Sequence, residues 1–113
     1  MSRRFEVRLW VAQRATAVIL AACVVVHLAL IIYAVRGGLS AAEILGRTRG
    51  SLAWGSFYSL FVLAAAVHGA IGLRAVAAEW LGFRGRGAEW TMAAIGLALL
   101  GLGLRAVFAV VAT

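Results

Sequence analysis

The chain has 113 residues, of which 65% are hydrophobic, and its mean hydropathy of +1.01 excludes an ordinary soluble domain. A soluble domain is usually about 45–50% apolar, and a chain of this length could not enclose the excess, so lipid must cover much of its surface. The net charge of +7 comes from 11 arginines against four glutamates. Because the arginines cluster around the ends of apolar runs, the charge indicates membrane topology and no binding of nucleic acid.

Three apolar runs, each of 21 or 22 residues, occupy 15–35, 52–73 and 91–112. Each is long enough to cross a hydrocarbon layer of about 30 Å as a helix. The first run is too long for a signal peptide, and no small-residue cleavage site follows it, so we expect it to be retained. The sequence predicts an all-α membrane protein: a single membrane-anchor domain over 1–113, with no soluble domain and with transmembrane helices over 10–35, 52–80 and 90–112.

The loop between the first two runs is predicted to contain a short helix over 41–45, because Ser40-Ala-Ala-Glu43 matches a capping box. Arginine placement predicts the orientation, since the richer side faces the cytoplasm. Seven arginines against four favour a cytoplasmic N-terminus and an outside C-terminus, in the inner (cytoplasmic) membrane of a bacterium. The seven are Arg3, Arg4, Arg8, Arg14, Arg74, Arg84 and Arg86, and the four are Arg36, Arg47, Arg49 and Arg105.

Two histidines, His27 and His68, lie inside apolar runs and are the candidate metal ligands. An isolated ring in hydrocarbon is costly, and haem iron is a natural partner for imidazole. The alternative is a hydrogen-bonded packing role. At 1.5 Å per residue, His68 lies roughly 9 Å deep from Arg74 and His27 roughly 19 Å deep from Arg14. A difference of about 10 Å is too large for one iron. Each His therefore binds a different haem, or only one is a ligand, and the opposite ligands come from another polypeptide.

Ala64 and Gly72 share a helical face with His68, at spacings of four residues. Small residues on both sides of His68 would leave clearance for a flat macrocycle. The alternative is that small residues here let another helix approach closely, and the two interpretations are compatible.

Polar residues near the predicted inner boundary are candidates for contact with haem propionates or a quinone headgroup, and the alternative is interfacial anchoring. They are Trp10, Gln13, Arg14, Thr16 and Arg74. Arg105, inside the third run, is a candidate for a propionate pair at the depth of His27. Its alternative is snorkelling of the side chain to the outer interface.

Two segments of the chain resemble the cytochrome b membrane-anchor subunit of succinate dehydrogenase and fumarate reductase. That family has His-Arg-x-Thr/Ser-Gly in its first helix, to which Gln13-Arg14-Ala15-Thr16-Ala17 is similar. Its second helix has His-x-x-x-Gly-Ile-Arg-His-x-x-x-Asp, and the matching run is His68-Gly-Ala-Ile-Gly72-Leu73-Arg74-Ala75-Val-Ala-Ala-Glu79. The His, Gly and Arg match, Glu replaces Asp, and Ala75 replaces the second His. The three-helix layout matches over the whole length.

The resemblance implies that His68 is an axial ligand of haem b and that Arg14 lies near a quinone site or haem propionates. His27 fits a two-haem version of the family. We therefore expect one or two haems per assembled anchor, formed with a second copy of the chain or a similar subunit.

The resemblance also implies a complex in which this chain, non-catalytic alone, docks a flavoprotein with FAD and a subunit with iron–sulfur clusters. Electrons would pass between succinate or fumarate and quinone in the lipid bilayer. The alternatives are a b-type cytochrome anchor of a different membrane dehydrogenase, and a haem-free small membrane anchor or transporter.

Overall fold

The computed structural model describes residues 2–112, which form four helices and no strand. Helix α1 spans Arg3–Arg36, α2 spans Ala41–Thr48, α3 spans Leu52–Leu81 and α4 spans Arg86–Val111. Helices α1, α3 and α4 are long and apolar enough to cross a membrane, whereas α2 is a short connecting helix. The predicted all-α class with three membrane helices is confirmed. The two terminal residues of the predicted 1–113 domain lie outside the described ones.

The helices extend beyond the predicted bounds at three ends. Helix α1 begins at Arg3 instead of residue 10, α2 continues to Thr48 instead of residue 45, and α4 begins at Arg86 instead of residue 90. The expected bounds followed hydropathy, but a helix continues into polar sequence while its backbone stays hydrogen-bonded. At α1, the Ser2 hydroxyl accepts from the Phe5 amide at 3.2 Å and caps the helix.

Helix α3 lies between α1 and α4 and packs against both. Small residues allow the close approach of α3 and α4. A Cβ added at Gly96 would lie 3.3 Å from the Ala70 Cβ, and one at Gly69 would lie 3.3 Å from Leu99 Cδ1. Van der Waals packing of small residues is a main source of helix association in lipid, where no hydrophobic force joins the helices.

The two ends of the bundle differ in what holds them. At the α2 end, the Thr48 hydroxyl donates to the Val110 carbonyl at 2.6 Å, and the Gly50 amide donates to the Val111 carbonyl at 2.8 Å. These bonds satisfy carbonyls left free at the end of α4. At the opposite end, called the Arg74 end here, α1 begins, α3 ends and α4 begins.

Candidate functional site

Thr16 of α1 and His68 of α3 meet across the interface of these two helices. The Thr16 Oγ1 lies 3.3 Å from the His68 Nδ1. The same hydroxyl lies 2.7 Å from the Ala12 carbonyl oxygen, one turn earlier in α1, and 3.2 Å from the Gln13 carbonyl oxygen. Both side chains are half-buried. The sequence proposed Thr16 and His68 for separate contacts, whereas the structure joins them in one hydrogen bond.

This geometry favours a proton on the Nδ1 of the His68 ring. A threonine hydroxyl has one hydrogen, and the short bond to the Ala12 carbonyl uses it. The oxygen is then left as an acceptor, and we infer that the His68 Nδ1–H donates to it across the 3.3 Å contact. A neutral imidazole protonated at Nδ1 has its lone pair at Nε2, which is the form that binds a metal.

The His68 Nε2 also remains accessible from outside the chain. It has no hydrogen-bond partner within residues 2–112. The buried side-chain nitrogen and oxygen atoms without a partner in that part of the chain are Gln13 Oε1 and Glu89 Oε2. The His68 Nε2 also lacks a partner but is not one of these buried atoms, so it is exposed at the surface of the chain. An imidazole anchored at one nitrogen and open at the other can supply one ligand to a metal that another polypeptide helps to hold.

Gly72 and Ala64, expected to clear a face for a macrocycle, lie where the chain packs on itself. A Cβ added at Gly72 would meet the Gln13 Nε2 at 3.3 Å, and Ala64 is only 3% exposed. The space over Gly72 is therefore taken by a side chain of α1. Gly72 admits the Gln13 side chain in the structure, one helical turn from the contact between Thr16 and His68.

His27 lies in a separate, aromatic environment on the same pair of helices. Its ring makes edge contacts with Tyr58 at 5.9 Å and Phe61 at 5.5 Å between centroids. These two residues precede His68 by ten and seven positions in α3, which is about 10 to 15 Å along the helix. The two imidazoles are therefore at different levels of the bundle, as the sequence-based depths indicated.

Arg74 joins all three long helices through ion pairs. Its Nε donates to the Glu89 carboxylate of α4 at 2.8 Å, and its Nη2 donates to the Glu6 carboxylate of α1 at 2.8 Å. The guanidinium also lies 5.7 Å from the centroid of the Phe5 ring. The sequence placed Arg74 near propionates or quinone and overlooked both glutamates. The rarity of acidic residues was the signal that could have pointed to these two glutamates, since the chain has only four acidic side chains.

The remaining candidates lie on the exposed surface. The Arg14 guanidinium is 5.4 Å from the centroid of the Trp10 ring, and both side chains are exposed. Arg105 is exposed on α4. The structure therefore groups Gln13, Thr16 and His68 at one interface and leaves Trp10 and Arg14 as a pair facing outward.

A comparison with known families matches residues 1–111 to the succinate dehydrogenase/fumarate reductase transmembrane subunit. The chain belongs to this family. The match confirms the family suspected from the two motifs, and together with the three apolar helices it makes the chain a multi-pass membrane protein. Such a subunit of a succinate dehydrogenase or fumarate reductase complex implies flavoprotein and iron–sulfur partner subunits. No curated protein and no solved structure matches it.

The donor set of this transmembrane subunit fits a haem held jointly with another chain. Within residues 2–112, no three His, Cys, Asp or Glu side chains come together to hold a metal ion. A haem iron needs only axial ligands from protein, and His68 offers one through its open Nε2. His27, the other imidazole of the described chain, is at a different level and cannot bind the same iron.

Replacing Arg74 of the transmembrane subunit with Leu is expected to destabilise the bundle by about 2 kcal/mol, because it leaves the Glu89 carboxylate, 19% exposed, without its cation. Arg84→Leu, at an exposed position of the same end, is the matched control and should change stability little. Thermal unfolding of the purified protein in detergent, followed by tryptophan fluorescence, measures both.

Removing the stranded charge should reverse part of the loss, so Arg74→Leu with Glu89→Gln is expected to unfold at a higher temperature than Arg74→Leu alone. Equal stability of Arg74→Leu and Arg84→Leu would show that the ion pairs do not hold the three helices together.

Proposed function

We propose that this transmembrane subunit carries haem b in a succinate:quinone oxidoreductase, in which the His68 Nε2 would hold the haem iron. The observation that carries the proposal is the contact of 3.3 Å between the His68 Nδ1 and the Thr16 hydroxyl, since a hydrogen bond donated by Nδ1–H would leave Nε2 free. A bound haem would supply one-electron transfer. The chain's own contribution is to hold the imidazole of His68 in one orientation through Thr16.

A second membrane subunit, either another copy or a similar chain, would supply the opposite ligand. Large apolar side chains are exposed along all three long helices, for example Val18 at 72%, Leu73 at 51% and Leu97 at 70%. Lipid or further helices must cover these faces. His27, level with Tyr58 and Phe61, would serve as a ligand of a second haem in the two-haem arrangement, with Arg105 as a candidate partner for its propionates.

The Arg74 end is the proposed docking face for the flavoprotein and iron–sulfur subunits, on the cytoplasmic side of a bacterial inner membrane. Its exposed basic residues suit an acidic partner surface; they are Arg3, Arg4, Arg8, Arg84 and Arg86. Their number on this side also favours the cytoplasmic orientation of the N-terminus.

Gln13, Arg14 and Trp10, which precede Thr16 in α1 by three, two and six residues, are the candidates for the quinone site or for propionate contacts. The Gln13 Oε1 is buried and has no donor within the described chain. A quinol hydroxyl or another external donor would satisfy it, and such a partner is expected because buried polar atoms are seldom left unpaired. Arg14 and Trp10 are exposed and free to meet a headgroup from outside.

Co-purification of the whole complex tests the proposal. We expect flavin, iron–sulfur clusters and a reduced-minus-oxidised haem b band in one preparation, together with succinate-dependent reduction of quinone. A haem band without succinate activity would select the anchor of a different dehydrogenase. Succinate–quinone activity without a haem band would overturn the assigned role of His68, and a preparation lacking all of these would favour a haem-free anchor or transporter.

A further inference from the structure

We propose that Thr16 is a positioning residue for electron transfer, which orients the His68 ring and lowers the midpoint potential of the haem bound at Nε2. The proposal rests on the proposed function, since it needs His68 as a ligand. It goes beyond that function by assigning a tuning role to an α1 residue that makes no direct contact with the iron.

The acceptor role of Thr16 follows from the two bonds of its oxygen. The bond to the Ala12 carbonyl, at 2.7 Å, directs the only hydroxyl hydrogen back along α1. This bond also restrains the side chain in one rotamer, because a helical threonine that bonds to the carbonyl four residues earlier is fixed at χ1. The lone pairs of the oxygen therefore face His68 from a fixed position, and the Nδ1–H has one direction in which to point.

A histidine that donates its second ring N–H to an oxygen is a more basic ligand through the other nitrogen. A more basic ligand stabilises ferric over ferrous iron and so lowers the midpoint potential. A neutral hydroxyl at 3.3 Å is a weaker acceptor than a carboxylate. We therefore expect a moderate effect: losing the bond should change the ratio of reduced to oxidised haem at a fixed potential by up to about tenfold, which is ~59 mV for one electron.

The test is a redox titration of the haem in the assembled complex carrying Thr16→Val, which keeps the shape of threonine but removes the acceptor. Thr16→Val should raise the midpoint potential, and the conservative Thr16→Ser, which keeps the hydroxyl, should restore the wild-type value. Thr91→Val is the matched control. The Thr91 hydroxyl makes the same backward bond, to the Gly87 carbonyl at 2.7 Å, but lies on α4 at an exposed position.

Low-spin EPR of the oxidised complex is the second readout, because its g-values report the ligand planes and donor strength. They should shift in Thr16→Val and stay unchanged in Thr16→Ser and Thr91→Val. Thr16→Ala removes the hydroxyl without adding a methyl group and gives the same test if the Val variant does not assemble.

Failure of the inference about Thr16 and failure of the proposed function give different results. In the first, His68→Ala loses haem, but the midpoint potential and g-values are unchanged in Thr16→Val or Thr16→Ala. That result would overturn the role of Thr16 and leave the proposed function standing. A His68→Ala complex that keeps all of its haem would overturn the proposed function, and the inference about Thr16 with it.

Discussion

Replacing His68 with Ala is expected to lower the haem content of its site at least tenfold, because the substitution removes the proposed iron ligand and no other imidazole of the described chain is at that level. The helices should still assemble, since His68 is only half-buried and Ala suits the interface of α1 and α3. The measurement is the reduced-minus-oxidised spectrum of the purified complex, normalised to its flavin.

His27→Ala is the paired variant, because it removes the other intramembrane imidazole from the aromatic environment of Tyr58 and Phe61. In the two-haem arrangement it should remove a different haem and leave the His68-dependent band in place. The wild-type complex should then contain one haem for each copy of the chain. One haem for two copies, or unchanged haem content in His27→Ala, would contradict that arrangement but would leave the proposed role of His68 standing.

Adding one methyl group at Gly103 is expected to have the largest effect on packing. The new Cβ would lie 3.0 Å from Val62 Cγ2 and closer still to Val62 Cγ1. Because both atoms belong to a branched side chain at the contact of α3 and α4, the helices must separate or Val62 must leave its rotamer. Overpacking of this kind typically costs about 1–3 kcal/mol. Thermal unfolding of Gly103→Ala in detergent measures the loss.

Gly101→Ala is a close control, two positions earlier on α4, because a Cβ there meets nothing within 4 Å. It should be neutral or slightly stabilising, since Ala forms helices better than Gly by up to about 1 kcal/mol. Combining Gly103→Ala with Val62→Ala should recover part of the stability by clearing the clash. If Gly103→Ala unfolds at the same temperature as Gly101→Ala, the contact with Val62 does not limit helix approach.

The three spans could be predicted from the sequence because a segment that crosses lipid must be apolar over its length, wherever it lies in the fold. Hydropathy marks only where the chain is apolar, so the true starts of α1 at Arg3 and α4 at Arg86 were missed. The end of a helix depends on which groups receive the terminal hydrogen bonds, and several of these are local side chains such as that of Ser2.

The residues of the candidate site could likewise be predicted only in part. His68 could be singled out as a candidate ligand because an ionisable ring in an apolar run is rare. Its motif with Gly72 also carried the family resemblance. The contacts that Gly72 and Arg74 make with other helices could not be predicted. Gly72 admits Gln13 in the structure, and Arg74 pairs with two glutamates that are 68 and 15 positions away in sequence.

The sequence by itself determined the family and the three membrane helices, and it singled out His68 as the candidate iron ligand, since each depends on composition or on a motif within one helix. The tertiary structure decided which atoms meet across helices. It set Thr16 against the His68 Nδ1, gave Glu6 and Glu89 to Arg74, and placed His27 among aromatic rings. The physical reason is that these contacts depend on the register and rotation of packed helices. Side-chain shape at every interface sets both quantities together, and no single segment encodes them.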